Sequence, residues 1–95
     1  MAQFTVRVEL HVGSYEPYYS TLHQAMFDEG FSKFITSDKG NTYHLPRAEY
    51  DIELNLSRKD VLKKAENAVS KTGKTAEILV TESRGRTWSG LTQKS

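Results

Sequence analysis

Apolar and polar residues alternate strictly through Phe4-Thr5-Val6-Arg7-Val8-Glu9-Leu10, the period of a strand with one buried face. Phe4, Val6, Val8 and Leu10 are therefore assigned to a core, with Thr5, Arg7 and Glu9 opposite. After Gly13-Ser14 the period becomes helical. Ser14 or Glu16 can cap, and Pro17 suits a first helical position, where its missing N–H has no partner to lose. Tyr18, Leu22, Ala25 and Met26 recur as one apolar stripe. The spacing predicts a helix over 15–29, closed by Gly30 in the left-handed conformation.

Phe31 to Ser37 is aromatic and branched and predicts a second strand, and Asp38-Lys39-Gly40-Asn41 supplies a hairpin turn. A third strand follows. It is interrupted at Pro46, which cannot donate to a ladder, and resumes where Ala48, Tyr50, Ile52 and Leu54 alternate with Glu49, Asp51 and Glu53. Ser57 reads as the N-cap of a second helix, with Asp60 as capping-box partner and Leu56 set to meet Val61 as a hydrophobic staple. Its inner stripe is Val61, Leu62, Ala65, Ala68 and Val69, and Gly73 ends it near Lys71 and Lys74, cations that suit a helix C-terminus. A last strand is predicted over Thr75–Thr81.

The order strand, helix, strand, strand, helix, strand predicts a ferredoxin-like α+β sandwich: a four-stranded antiparallel sheet, first and third strands central, both helices on one face. One such domain spans 1–83, and 84–95 form a basic tail expected to be flexible. The whole chain has 95 residues, 37% apolar and 26% charged, with a formal charge of +1. That balance argues against a histone-like or otherwise strongly basic nucleic-acid binder and leaves room for a local basic patch. No run of ~18 apolar residues is present, nor the basic-then-apolar start of a signal peptide, so a cytoplasmic domain without a membrane partner is expected. Zero cysteines exclude disulfides and thiolate metal sites, and no cofactor is expected.

The open sheet face is read as carrying Arg7, Glu9, Glu49, Asp51 and Glu53 without a central aromatic, unlike the base-stacking face of RNA-binding modules of this fold. Glu9, Asp51 and Glu53 could hold Mg²⁺ or be ordinary strand residues paired with Arg7. His23, near Tyr19 on the first helix, is a candidate general acid or base for phosphodiester cleavage, or a boundary residue half-packed on the sheet. His44 and Arg47 flank Pro46, where a bulge re-aims side chains or merely ends pairing. Arg84, Arg86 and Trp88 combine guanidinium forks with a stacking surface, which suits single-stranded nucleic acid. A tail folding Trp88 back over a core edge is the other reading.

The segments Gly30–Asp38, Tyr43-His44-Leu45-Pro46, Ala48-Glu49-Tyr50, Asn55-Leu56-Ser57-Arg58 and Val80-Thr81-Glu82-Ser83, with the element order, resemble the endoribonuclease antitoxins of type V toxin–antitoxin systems (the GhoS type), over roughly 4–83. The resemblance implies a ferredoxin-like protein akin to the CRISPR adaptation nucleases. It also implies a bacterial function, cleavage of a membrane-active toxin's messenger, with His23 near the family's basic position on the first helix. The leading expectation is therefore an antitoxin-like protein acting on single-stranded mRNA. As an endoribonuclease it would use His23 or His44 as acid/base and Arg47, Arg84, Arg86 and Trp88 to bind RNA. The alternative is a non-catalytic module of the same fold that binds a protein partner or itself.

Overall fold

The computed structural model describes residues 2–12 and 16–94. β1 (Ala2–Leu10) follows its alternation: Phe4, Val6 and Val8 are wholly buried, and Arg7 is exposed on the other face. It is the central strand of an antiparallel three-stranded sheet, between β4 (Glu49–Leu54) and β5 (Ala76–Ser83). Val6 faces Tyr50 on one side and Val80 on the other. Helices α1 (Glu16–Asp28) and α2 (Arg58–Ser70) close one face. Leu22 and Met26 from α1 and Val61, Ala65 and Ala68 from α2 enter one core with Phe4, Val6, Val8, Tyr50 and Ile52. Each large apolar side chain so buried contributes about 1.5–3 kcal/mol before chain entropy is set against it.

Two details of the helices depart from the periodicity. Tyr19, not Tyr18, belongs to the inner stripe: it is buried, while Tyr18 is exposed beneath the Lys74 ammonium. Polar satisfaction decides this, because the Tyr19 hydroxyl accepts the Leu10 N–H at 3.0 Å and donates to Glu9 at 3.3 Å, closing the end of β1. The cap assigned to Ser14 and the helix start at Tyr15 lie outside the described residues. On α2 the reciprocal capping box forms, with Asp60 N–H donating to Ser57 Oγ at 3.1 Å and Ser57 N–H donating to Asp60 at 3.3 Å. Leu62, placed in the inner stripe by its spacing, is only half-buried.

The sheet is the larger correction. In place of four strands in one sheet, the structure has the three-stranded sheet and a separate two-stranded hairpin, β2 (Phe34–Thr36) with β3 (Thr42–His44). Among the described residues the expected second strand pairs with β4 only at the bridge Ser32–Asp51, two backbone hydrogen bonds of 2.8 Å. The physical cause lies one step further along. A continuing ladder would join Phe34 N–H to the Glu49 carbonyl, but Phe34 N–H donates instead to Ser32 Oγ at 3.0 Å. The Lys33 ammonium takes the Glu49 carbonyl at 2.8 Å, together with those of Pro46 and Arg47 at 2.6 and 2.9 Å. Pro46 begins a turn in which Glu49 N–H returns to its carbonyl at 2.9 Å. The interruption expected at Pro46 thus splits one strand into β3 and β4, and the hairpin leaves the sheet.

Lys33 also lies 4.5 Å over the Tyr50 ring, and burial lowers its pKa from 10.5 to about 8, with Glu49 acting against the shift. Replacing Lys33 by Met removes the three-carbonyl clamp, and chemical denaturation is expected to show a loss of about 1–3 kcal/mol. The pH dependence has a definite sign. Between pH 8 and 10.5 the unfolded chain keeps a proton that the folded one has released, so this lysine's contribution to stability rises with pH. Denaturation of both proteins across that window should therefore show the wild type gaining on Lys33→Met as pH climbs.

Candidate functional site

Past β5 the chain crosses the open face of the sheet towards the hairpin. Arg86 reaches over β1 to Asp51 on β4, with guanidinium nitrogen and carboxylate oxygen 2.8 Å apart and both side chains largely buried. The approach to Asp51 Oδ1 is off the N–H direction, so the contact is an ion pair rather than a directed hydrogen bond. The same nitrogen also points at Thr5 Oγ, 3.4 Å away. Further on, Trp88 packs edge-on against Tyr43, ring centres 5.4 Å apart. The chain then adds to the free edge of β3: His44 N–H donates to the Thr92 carbonyl at 2.9 Å and Lys94 N–H to the Thr42 carbonyl at 2.8 Å. The segment read from the sequence as a tail thus meets the sheet at Arg86 and the hairpin at Trp88 and at residues 92–94.

Between this segment, the hairpin turn and the start of β1 lies a groove of about 860 Å³. Arg84, Arg86 and Lys39 bring positive charge to its wall, Trp88 and Tyr43 bring rings, and Gln3, Thr36, Ser37 and Thr87 bring hydrogen-bonding groups. Asp38 is its one carboxylate among the described residues. Desolvation pushes the Asp51 carboxyl up, and the Arg86 charge pulls it back. Elsewhere on this face Arg7 bridges Glu9 at 2.6 Å and Glu49 at 3.1 Å, so of the carboxylates considered for Mg²⁺ Glu9 is engaged by Arg7 and Asp51 by Arg86, while Glu53 accepts from the Gln3 amide at 3.2 Å. Among the described residues no group of three acidic or imidazole side chains is arranged to hold a metal ion.

The six candidate residues divide into separate places. Arg84, Arg86 and Trp88 line the groove together. His23 is on the other side of the sheet: half-buried on α1, its Nδ1 lies 2.6 Å from the hydroxyl of Tyr50, whose side chain points to the core. Burial keeps that phenol protonated by raising its pKa well above the usual value, and Tyr19 adds to the shift. Arg47 belongs to the same side, its guanidinium carbon 4.4 Å from the centre of the Tyr19 ring. His44 is on the hairpin beside Phe34, centres 4.9 Å apart, and strand alternation turns it away from Tyr43 and Trp88. No histidine lines the groove among the described residues.

Sequence reasoning missed Tyr43 and Lys39 as wall residues and Asp51 as the anchor of Arg86. Tyr43 had a signal, since it is an aromatic residue next to His44 in the segment before Pro46. A second hollow of about 390 Å³ between the helices is lined by Thr21, Gln24, Ala25, Asp28, Ala68 and Lys71 and holds neither aromatic nor arginine. No described helix is long and apolar enough to cross a membrane. No protein-family model matches the chain, and no curated protein matches it either.

Removing the anchor tests the assembly of the groove. Arg86→Met leaves the buried Asp51 carboxylate unpaired and should lower stability by about 3 kcal/mol. With its pKa raised, Asp51 stabilises the fold most when protonated, and that contribution falls as pH rises through the raised value. Denaturation from pH 4 to 7 should show a deeper fall in Arg86→Met that continues to higher pH, and Asp51→Asn added to this variant should abolish it.

Proposed function

We propose that this chain is an RNA-binding module of the antitoxin kind, taking a short single-stranded segment in the groove beside Trp88. The observation that carries the reading is the gathering of Arg84, Lys39, Trp88 and Tyr43 around one hollow. Arginine and lysine meet phosphates, while indole and phenol faces accept bases whatever their identity. A groove of this make-up suits an unpaired strand better than a duplex, whose bases are stacked out of reach. The ferredoxin-like plan belongs to the same reading. What supports it is the order β5-β1-β4 with Ser32 bridging β4 on its far side, where the plan would set its second strand and this chain has a single bridge. Because the imidazoles lie elsewhere, the geometry favours binding over cleavage, and silencing a messenger by occupying it needs no acid or base.

Trp88 is the one tryptophan of the chain, and its fluorescence reports directly on the groove. Titration with a single-stranded RNA oligonucleotide should quench it, and affinity should fall with salt. Trp88→Ala, followed by fluorescence anisotropy of labelled RNA, should weaken binding about tenfold or more. Arg84→Ala should weaken it and flatten the salt slope by about 0.7, and His23→Ala should leave it unchanged. RNA that neither quenches Trp88 nor responds to these substitutions would dismiss the proposal. Cleavage lost in His23→Ala or His44→Ala would instead restore the nuclease reading.

A further inference from the structure

β5 is the outer strand of its sheet, and the chain beyond it departs over β1 and β4 rather than along its free side. Among the described residues no strand pairs there. Natural edges are usually blunted by proline, lysine or a bulge. β5 has none of these: its sequence is Ala-Glu-Ile-Leu-Val-Thr-Glu-Ser, and its register with β1 runs unbroken from Gln3–Ser83 to Leu10–Ala76. His11 N–H donates to the Thr75 carbonyl, so odd-numbered residues spend their backbone groups on β1. Ala76, Ile78, Val80 and Glu82 turn theirs outward. On the open face Leu79 is 63% exposed, a large apolar side chain with no cover.

We propose that this edge docks a second copy of the same chain, antiparallel, with Ile78 on the two-fold axis, joining two sheets into one. The occupant is argued from self-complementarity. In that register Val80 meets Ala76 of the second copy and Thr81 meets its Thr75. The two Leu79 side chains come into diagonal contact, and Glu82 of each copy faces Lys74 of the other. No like charges stand opposite one another. The outward backbone groups of Ala76, Ile78 and Val80 coincide with hydrogen-bonded pairs, which provide most of the affinity in edge-to-edge pairing.

Light scattering over a micromolar to millimolar range should show the wild type passing from monomer to dimer. The amides of Ile78 and Val80 should exchange more slowly as the dimer fills. Leu79→Glu sets a carboxylate opposite Glu77 of the second copy, and should weaken association about tenfold or more with an unchanged circular dichroism spectrum. Adding Glu77→Lys to that variant converts the repulsion into attraction and should restore the dimer. A wild type monomeric throughout, a Leu79→Glu variant that associates as tightly, or a double variant that stays apart would each overturn the proposal.

Discussion

One backbone acceptor governs the arrangement of this molecule: the carbonyl of Glu49. In an uninterrupted sheet it would receive an amide from the neighbouring strand, but the Lys33 ammonium occupies it instead. A charged donor forms the stronger bond, and the amide it displaces finds Ser32 Oγ. The ladder stops after a single bridge, and β2 and β3 swing free as a hairpin. Only because that hairpin stands apart does β3 offer an open edge, and the chain after β5 takes that edge with Thr92 and Lys94. The groove is the space this detour encloses.

The sheet also insulates its two sides. On the helix side, Tyr19, His23 and Tyr50 form a linked set of rings, with the Lys33 ammonium over the last, fixed by short contacts. A cluster so committed to its neighbours serves packing. On the other side the carboxylates of β1 and β4 would repel a polyanion if left bare, yet Arg7 and Arg86 neutralise several of them locally. The formal charge of +1 conceals this division, since net charge reports nothing about which face carries which sign.

Elements governed by local chemistry were legible from residue order. β1 and β5 carried their period, and α2 its capping box, because each depends on residues a few positions apart. Both helices could be assigned to one side of the sheet on a different ground, the right-handedness of strand–helix–strand crossovers. The detached hairpin was not legible, for its cause is a lysine side chain competing with a strand for carbonyls more than ten residues away. The choice of Tyr19 over Tyr18 turned on a hydroxyl reaching the end of another element. In the candidate site, Arg84, Arg86 and Trp88 could be grouped because they are neighbours in the chain. His23, His44 and Arg47 could not be placed, since a strand sends adjacent residues to opposite faces and a sheet hides one side from the other.

The central position of β1 has a consequence for how the chain acquires its shape during synthesis. β1 emerges ahead of both its neighbours, and its register pairs Phe4 with Ile52 and with Glu82. Loops of that length close slowly, and the ribosome still holds β5 when β4 is already outside. Until then β1 has one flank bare, an apolar ribbon of the sort chaperones recognise. Completion waits on β5, which follows the whole of α2, so a chain cut before Ala76 would lack the sheet's third strand and the groove together.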